Sequence, residues 1–142
     1  MSLLKLMSVV PSQKFFQRYS YNHILNALGV NCNSRKASFA STCPRCRKSC
    51  WIYGLMPFGG WFNCEYCGLR GDPVRVFGQV YRLDSSVEIR KVLEQEFRSS
   101  GSMSEDWERY DTFYHNYYNL IEKFWRTAQH NAANWGQPYH AR

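Results

Sequence analysis

Four of the six cysteines fall into two pairs, Cys43-Pro44-Arg45-Cys46 and Cys64-Glu65-Tyr66-Cys67, with 17 residues between them. A C-x-x-C turn presents two thiolates to one ion, and two such knuckles complete the tetrahedral sulfur set that Zn2+ takes. The gap between the pairs is long enough for a two-stranded hairpin to bring them together. Gly68 follows the second pair, where a knuckle turn needs φ > 0 and a backbone close to sulfur. The remaining cysteines are Cys50, four residues past Cys46, and Cys32. Cys50 is placed to compete as a ligand or to sit as a small buried residue, and Cys32 has no partner at metal spacing. The histidines, His23, His115, His130 and His140, each stand alone and read as surface or packing residues.

Around the knuckles lie residues suited to a polyanion. Arg45, Arg47 and Lys48 interrupt or follow the first pair, and Arg70 and Arg75 flank the second. Such charges neutralise phosphates, while Trp51, Tyr53 and Trp61 offer rings on which unpaired bases could stack. The competing use of those rings is the core of the hairpin, since alternation buries about half of them. Charge is split along the chain in the same sense. Residues 1–82 hold 11 Lys+Arg against Glu65 and Asp72, a balance of +9, whereas residues 83–142 come to −2. A basic half that also carries the cysteines suggests a face turned to nucleic acid.

Positioning those groups calls for an α+β fold: a small zinc ribbon, made of an antiparallel β-hairpin or sheet with two knuckles, flanked by helices. Trp51-Ile52-Tyr53 and Trp61-Phe62-Asn63 read as strands, with Pro57 and Gly59-Gly60 in the turn between them. Upstream, Ser12 is set to cap a helix reaching about Leu28, with Gly29 as its stop. Downstream, Asp72 as N-cap and Pro73 at the first helical position open a helix whose face is Val74, Phe77 and Tyr81. Ser85 with Glu88 forms a capping box for the next helix, whose stripe is Ile89, Val92, Leu93 and Phe97. Ser102 with Glu105 opens a long, aromatic, amphipathic C-terminal helix to about Ala133. Its seam is Trp107, Tyr110, Tyr114, Tyr117, Ile121, Phe124 and Ala128, widened by Phe113, Tyr118 and Trp125. That seam suits either packing on its own domain or pairing with a second copy through residues 103–133. The organisation expected is an N-terminal helix and loop at 1–35, the ribbon with its following helices at 36–98, a linker at 99–102, and a helical tail at 103–142.

From Cys43 to about Tyr81 the chain resembles the zinc-binding domain of DnaG-type and phage DNA primases and primase-helicases. The matching pieces are Cys43-Pro44, the aromatic hairpin, the run from Trp61 through Asn63-Cys64-Glu65-Tyr66-Cys67-Gly68, and Gly71-Asp72 leading into a helix. Cys46 stands where bacterial members often have histidine, which looks more like the all-cysteine phage and mitochondrial type. The resemblance covers under a third of the chain and stops short of the helix after Ser102. It implies a domain that reads single-stranded template DNA and helps a polymerase start a primer.

A polymerase site would need clustered carboxylates to hold metal ions, and the acids here are scattered along helices. The chain alone is therefore expected to carry no catalytic residues, with an active polymerase or helicase supplied by other sequence or another replication protein. The alternative function is a zinc-ribbon protein-interaction module in a replication or transcription complex. No apolar run approaches the roughly 20 residues that span a bilayer. Paired C-x-x-C without a secretory pattern points to an intracellular protein with no membrane partner, and an organellar transit peptide is not expected. The resemblance to primases implies the cytoplasm of a bacterium or phage-infected host.

Overall fold

The computed structural model describes residues 10–54, 59–97 and 103–116, with residues 120 and 123. Within them lie four strands, β1 (Phe39–Thr42), β2 (Ser49–Tyr53), β3 (Trp61–Asn63) and β4 (Arg70–Gly71). They form one antiparallel sheet in the order β1-β2-β3-β4. The expected hairpin is its centre, with Trp51 opposite Asn63, Ile52 opposite Phe62 and Tyr53 opposite Trp61. The outer strands carry little strand propensity of their own. They form because each knuckle reverses the chain: β1 returns as β2, and β3 returns as β4.

The N-terminal segment departs from the single helix expected between Ser12 and Leu28. It is two helices, α1 (Gln13–Arg18) and α2 (Tyr21–Ala27), broken at Tyr19–Ser20. Ser20 takes an extended backbone, and its hydroxyl accepts the His23 N–H, which makes it the N-cap of α2. Ser12 has cap-like dihedrals but caps nothing. Its N–H and hydroxyl both donate to the Asp106 carboxylate, each at 2.8 Å. Gly29 does end α2, at φ +85. Its N–H donates to Asn26 O and that of Val30 to Leu25 O, the paired closure of a Schellman motif.

Helix α3 (Pro73–Val80) starts as expected, with Asp72 accepting the Arg75 N–H at 3.0 Å. Val74 and Phe77 are buried, but Tyr81, expected on the same face, sits past the last turn and is 49% exposed. Helix α4 (Ser86–Glu96) is capped by Ser85, and Ile89 and Leu93 are buried. A fifth helix, α5, covers residues 104–116. The Trp107 N–H donates to Met103 O, and Glu105 pairs with Arg109 one turn on. Ser102, the 99–102 linker, and Tyr117, Tyr118, Ile121, Phe124, Trp125 and Ala128 of the long-helix expectation lie outside the described residues.

Side chains divide into two cores, one on each side of the sheet. Cys50, Ile52 and Phe62 share one sheet face and pack with Tyr21 and Leu25 of α2, Val76 of α3, and the knuckle residues Cys43, Cys64 and Leu69. Trp61 points the other way, as successive strand residues must. It joins Phe15, Phe16, Tyr19, Val74, Phe77, Ile89 and Leu93, together with Trp107, Tyr110 and Phe113 of α5. The N-terminal segment serves both cores: Phe15, Phe16 and Tyr19 enter one, while α2 faces both, with Ile24 in that same core and Tyr21 and Leu25 in the other.

Candidate metal centre

Each knuckle is built from one cysteine at the end of a strand and one on the turn after it. In the first, the Cys43 N–H donates to Lys48 O at 2.8 Å and the Arg47 N–H to Cys43 O at 3.0 Å. In the second, the Cys64 N–H donates to Leu69 O at 2.9 Å and the Gly68 N–H to Cys64 O at 3.1 Å. The two turns thus repeat each other, Cys43 matching Cys64 and Arg47 matching Gly68. Both matched positions have positive φ, +69 at Arg47 and +80 at Gly68. The glycine expectation at 68 is met, and an arginine takes the same strained conformation at 47.

The sheet sets the knuckles side by side, so the ligand atoms of Cys43, Cys46, Cys64 and Cys67 lie within 4.8 Å of one another. Sγ of Cys43 is 3.6 Å from that of Cys67, and Sγ of Cys46 is 3.5 Å from that of Cys64. Four sulfurs at the usual zinc–sulfur bond length would stand about 3.8 Å apart, so the quartet needs little adjustment to close on one ion. Backbone N–H groups already face the sulfur of Cys43, from Arg45 at 3.4 Å and from Cys46 at 3.5 Å. The arrangement can hold a metal ion.

Electrostatics differ among the thiols. Burial pushes the Cys43 thiol up to about 12. Burial also raises Cys67, but hydrogen bonds from the Leu69 N–H, the Arg45 side chain and the thiols of Cys43 and Cys64 together outweigh it and bring that thiol down to about 7. A coordinated cation would draw every ligand to the thiolate. Cys50 stays out of the quartet: it is buried, its Sγ donates to Ser41 O at 3.4 Å, and burial raises its thiol. Cys32 donates to Asn22 Oδ1 at 3.1 Å. The His23 ring nitrogen Nδ1 lies 3.1 Å from Gln17 O, and His115 pairs with Asp111 at 3.2 Å. His130 and His140 lie outside the described residues.

The residues expected to meet a polyanion are placed in three groups. Arg45, Arg47 and Lys48 are exposed at the first knuckle. Arg45 crosses to the second, its Nη2 donating to Cys67 O at 2.6 Å. Lys48 also crosses, its Nζ 4.5 Å from the ring centroid of Tyr66. Half-buried Trp51 and Arg70 lie on one face of the sheet, linked through Asn63, which pairs with both. Exposed Ala40, Thr42 and Ser49 continue that face toward the β1 edge. Tyr53 is on it too, its ring 6.2 Å from that of Trp51 and partly packed into the core. Trp61 belongs to neither surface: at 0% exposure it is a core residue and offers no ring to a ligand. Arg75 turns away to the ring of Tyr114 on α5, at 5.2 Å.

Tyr66, outside the set of rings expected from the sequence, is exposed at the second knuckle. The signal was present in its position: the two inner residues of a C-x-x-C turn point away from the sulfurs, so a ring there is displayed. Asp72 is fully buried, where the Tyr110 hydroxyl donates to both its oxygens at 3.2 and 3.1 Å. No protein-family model, curated protein or solved structure matches the chain.

Proposed function

We propose that this protein is a zinc ribbon that binds single-stranded DNA, akin to the template-recognition domain of a DNA primase. The observation that carries the reading is the exposed cluster Arg45, Arg47 and Lys48 at the metal centre, continuous along the chain with a sheet face bearing Trp51 and Arg70. Cations around a rigid turn neutralise phosphates, and a half-exposed ring beside them accepts a base, which only an unpaired strand presents freely. Zinc is the ion of choice for four thiolates at tetrahedral spacing. The kinship with primases rests on the sequence motif alone. Two of its pieces have a physical purpose here: Gly71 has φ +136, open to glycine, and Asp72 caps α3. On this reading the partners are template DNA and a polymerase or helicase of the replication machinery.

The alternative, a protein-docking module, drew on the aromatic C-terminal helix. In the described part of that helix Trp107, Tyr110 and Phe113 are spent inside the core, which leaves the basic surface as the stronger feature. Fluorescence anisotropy with a labelled single-stranded oligonucleotide, across a salt series, tests the proposal. Replacing Arg47 and Lys48 together with alanine should weaken binding about tenfold and lower the slope of log K against log salt by about 1.4, at roughly 0.7 per lost contact. Arg126→Ala, in the acidic half, should change neither. A wild-type protein that binds no single strand at low salt would sink the proposal.

A further inference from the structure

We propose that Tyr66, on the second knuckle, is a base-stacking residue, so that a bound strand passes over the tip of the metal centre. This deepens the single-strand reading and rests on it. Tyr66 is 62% exposed, more than any other tyrosine, phenylalanine or tryptophan among the described residues. It is held between Cys64 and Cys67, so its backbone is fixed by the turn that the metal would lock. Lys48 lies over the ring at 4.5 Å. One ammonium covers one face of a ring and leaves the other for a partner. Next to it, a Cβ built on Gly68 meets nothing within 4 Å, so the tip is open above the second knuckle. Arg45 bonds across to Cys67 O and keeps its charge beside the same turn.

A rigid ring with an open face, flanked by two cations from the neighbouring turn, matches one nucleotide unit: base on the ring, phosphates on Lys48 and Arg45. Among the described residues, no cation lies over the ring of Trp51. The tip therefore supplies the element the sheet face lacks, and the two rings together would seat more than one base.

The test uses the full, metal-loaded chain and two labelled probes of equal length, an oligothymidylate and an abasic strand. Tyr66→Ala should bind the oligothymidylate about tenfold more weakly than wild type. Tyr66→Leu, which keeps an apolar side chain without a π-face, should show the same loss, and Tyr66→Trp should match or exceed wild type. On the abasic strand all four proteins should bind alike, with equal metal content. An equal loss on both strands would mean that Tyr66 only steadies Lys48 and would overturn the stacking role, as would unchanged binding of Tyr66→Ala and Tyr66→Leu to the oligothymidylate. Failure of the wild type to bind either strand would instead remove the single-strand reading beneath it.

Discussion

At position 47 the first knuckle demands a left-handed backbone, and the chain supplies arginine rather than glycine. For an L-residue that conformation costs about 1 kcal/mol, which the matching Gly68 avoids. Arg47→Gly should therefore stabilise the folded, metal-bound protein by up to about 1 kcal/mol in chemical denaturation, while weakening single-strand binding. Gly68→Ala should cost about 1 kcal/mol, and the cost is purely conformational because the added carbon meets open space. A neutral Gly68→Ala would show that the second turn tolerates a side chain as the first does. Asp72 carries a different tension. Burial raises its carboxyl to about 6, against the pull of the Arg75 N–H and the Tyr110 hydroxyl. A carboxyl raised from its ordinary value near 4 binds its proton more tightly when folded, so its contribution to stability grows as pH falls through 6 and shrinks as pH rises. Asp72→Asn keeps the cap and removes the charge. Its stability relative to wild type should fall by about 1 kcal/mol between pH 7 and pH 5, with metal contributions common to both proteins cancelling. A flat difference across that range would show that the carboxylate is no burden when charged.

The strands depend on the knuckles more than on their own sequence. β4 is two residues, Arg70–Gly71, and β1 is Phe-Ala-Ser-Thr; neither would hold a sheet edge without the turn beside it. Removing the metal should therefore melt the sheet, because binding free energy at such a site is folding free energy. Chelation should abolish the strand signal in circular dichroism, Cys64→Ser should reproduce that state, and Cys50→Ser should retain one metal per chain. A melting profile unchanged after complete metal removal would count against this. The same dependence decides what could be read in the sequence. The quartet was legible because C-x-x-C spacing is dictated by coordination chemistry, and β2 and β3 were legible because Trp-Ile-Tyr and Trp-Phe-Asn favour strands by themselves. β1 and β4 were not, since their order comes from chain reversal at the cysteine knuckles. The division of the N-terminal segment also escaped, although Ser20 is a good cap, because the apolar pattern runs straight through the break and so reads as one helix. Trp61 and Trp51 could not be told apart as core and surface until the register fixed which face each ring takes.

Across the whole molecule, distant parts of the chain are joined by a few polar contacts over a shared aromatic core. Ser12 at the start of α1 gives both its donors to Asp106 of α5. Asp106→Ala should cost about 1–2 kcal/mol in chemical denaturation without changing metal content, and Asp106→Asn, which keeps one acceptor, should cost less. Equal stability of wild type and Asp106→Ala would show that the core alone holds α1 to α5. Tyr110 makes the complementary contact, from α5 to Asp72, five residues past the last cysteine. That carboxylate is thus shared between a helix that begins where the second knuckle ends and a helix more than 30 residues later. If ordering the knuckle favours a docked α5, thermodynamic reciprocity requires a docked α5 to tighten the hold on a bound ion by the same factor. The Tyr110–Asp72 contact would then make α5 a heterotropic effector of the cysteine quartet, built into the same chain.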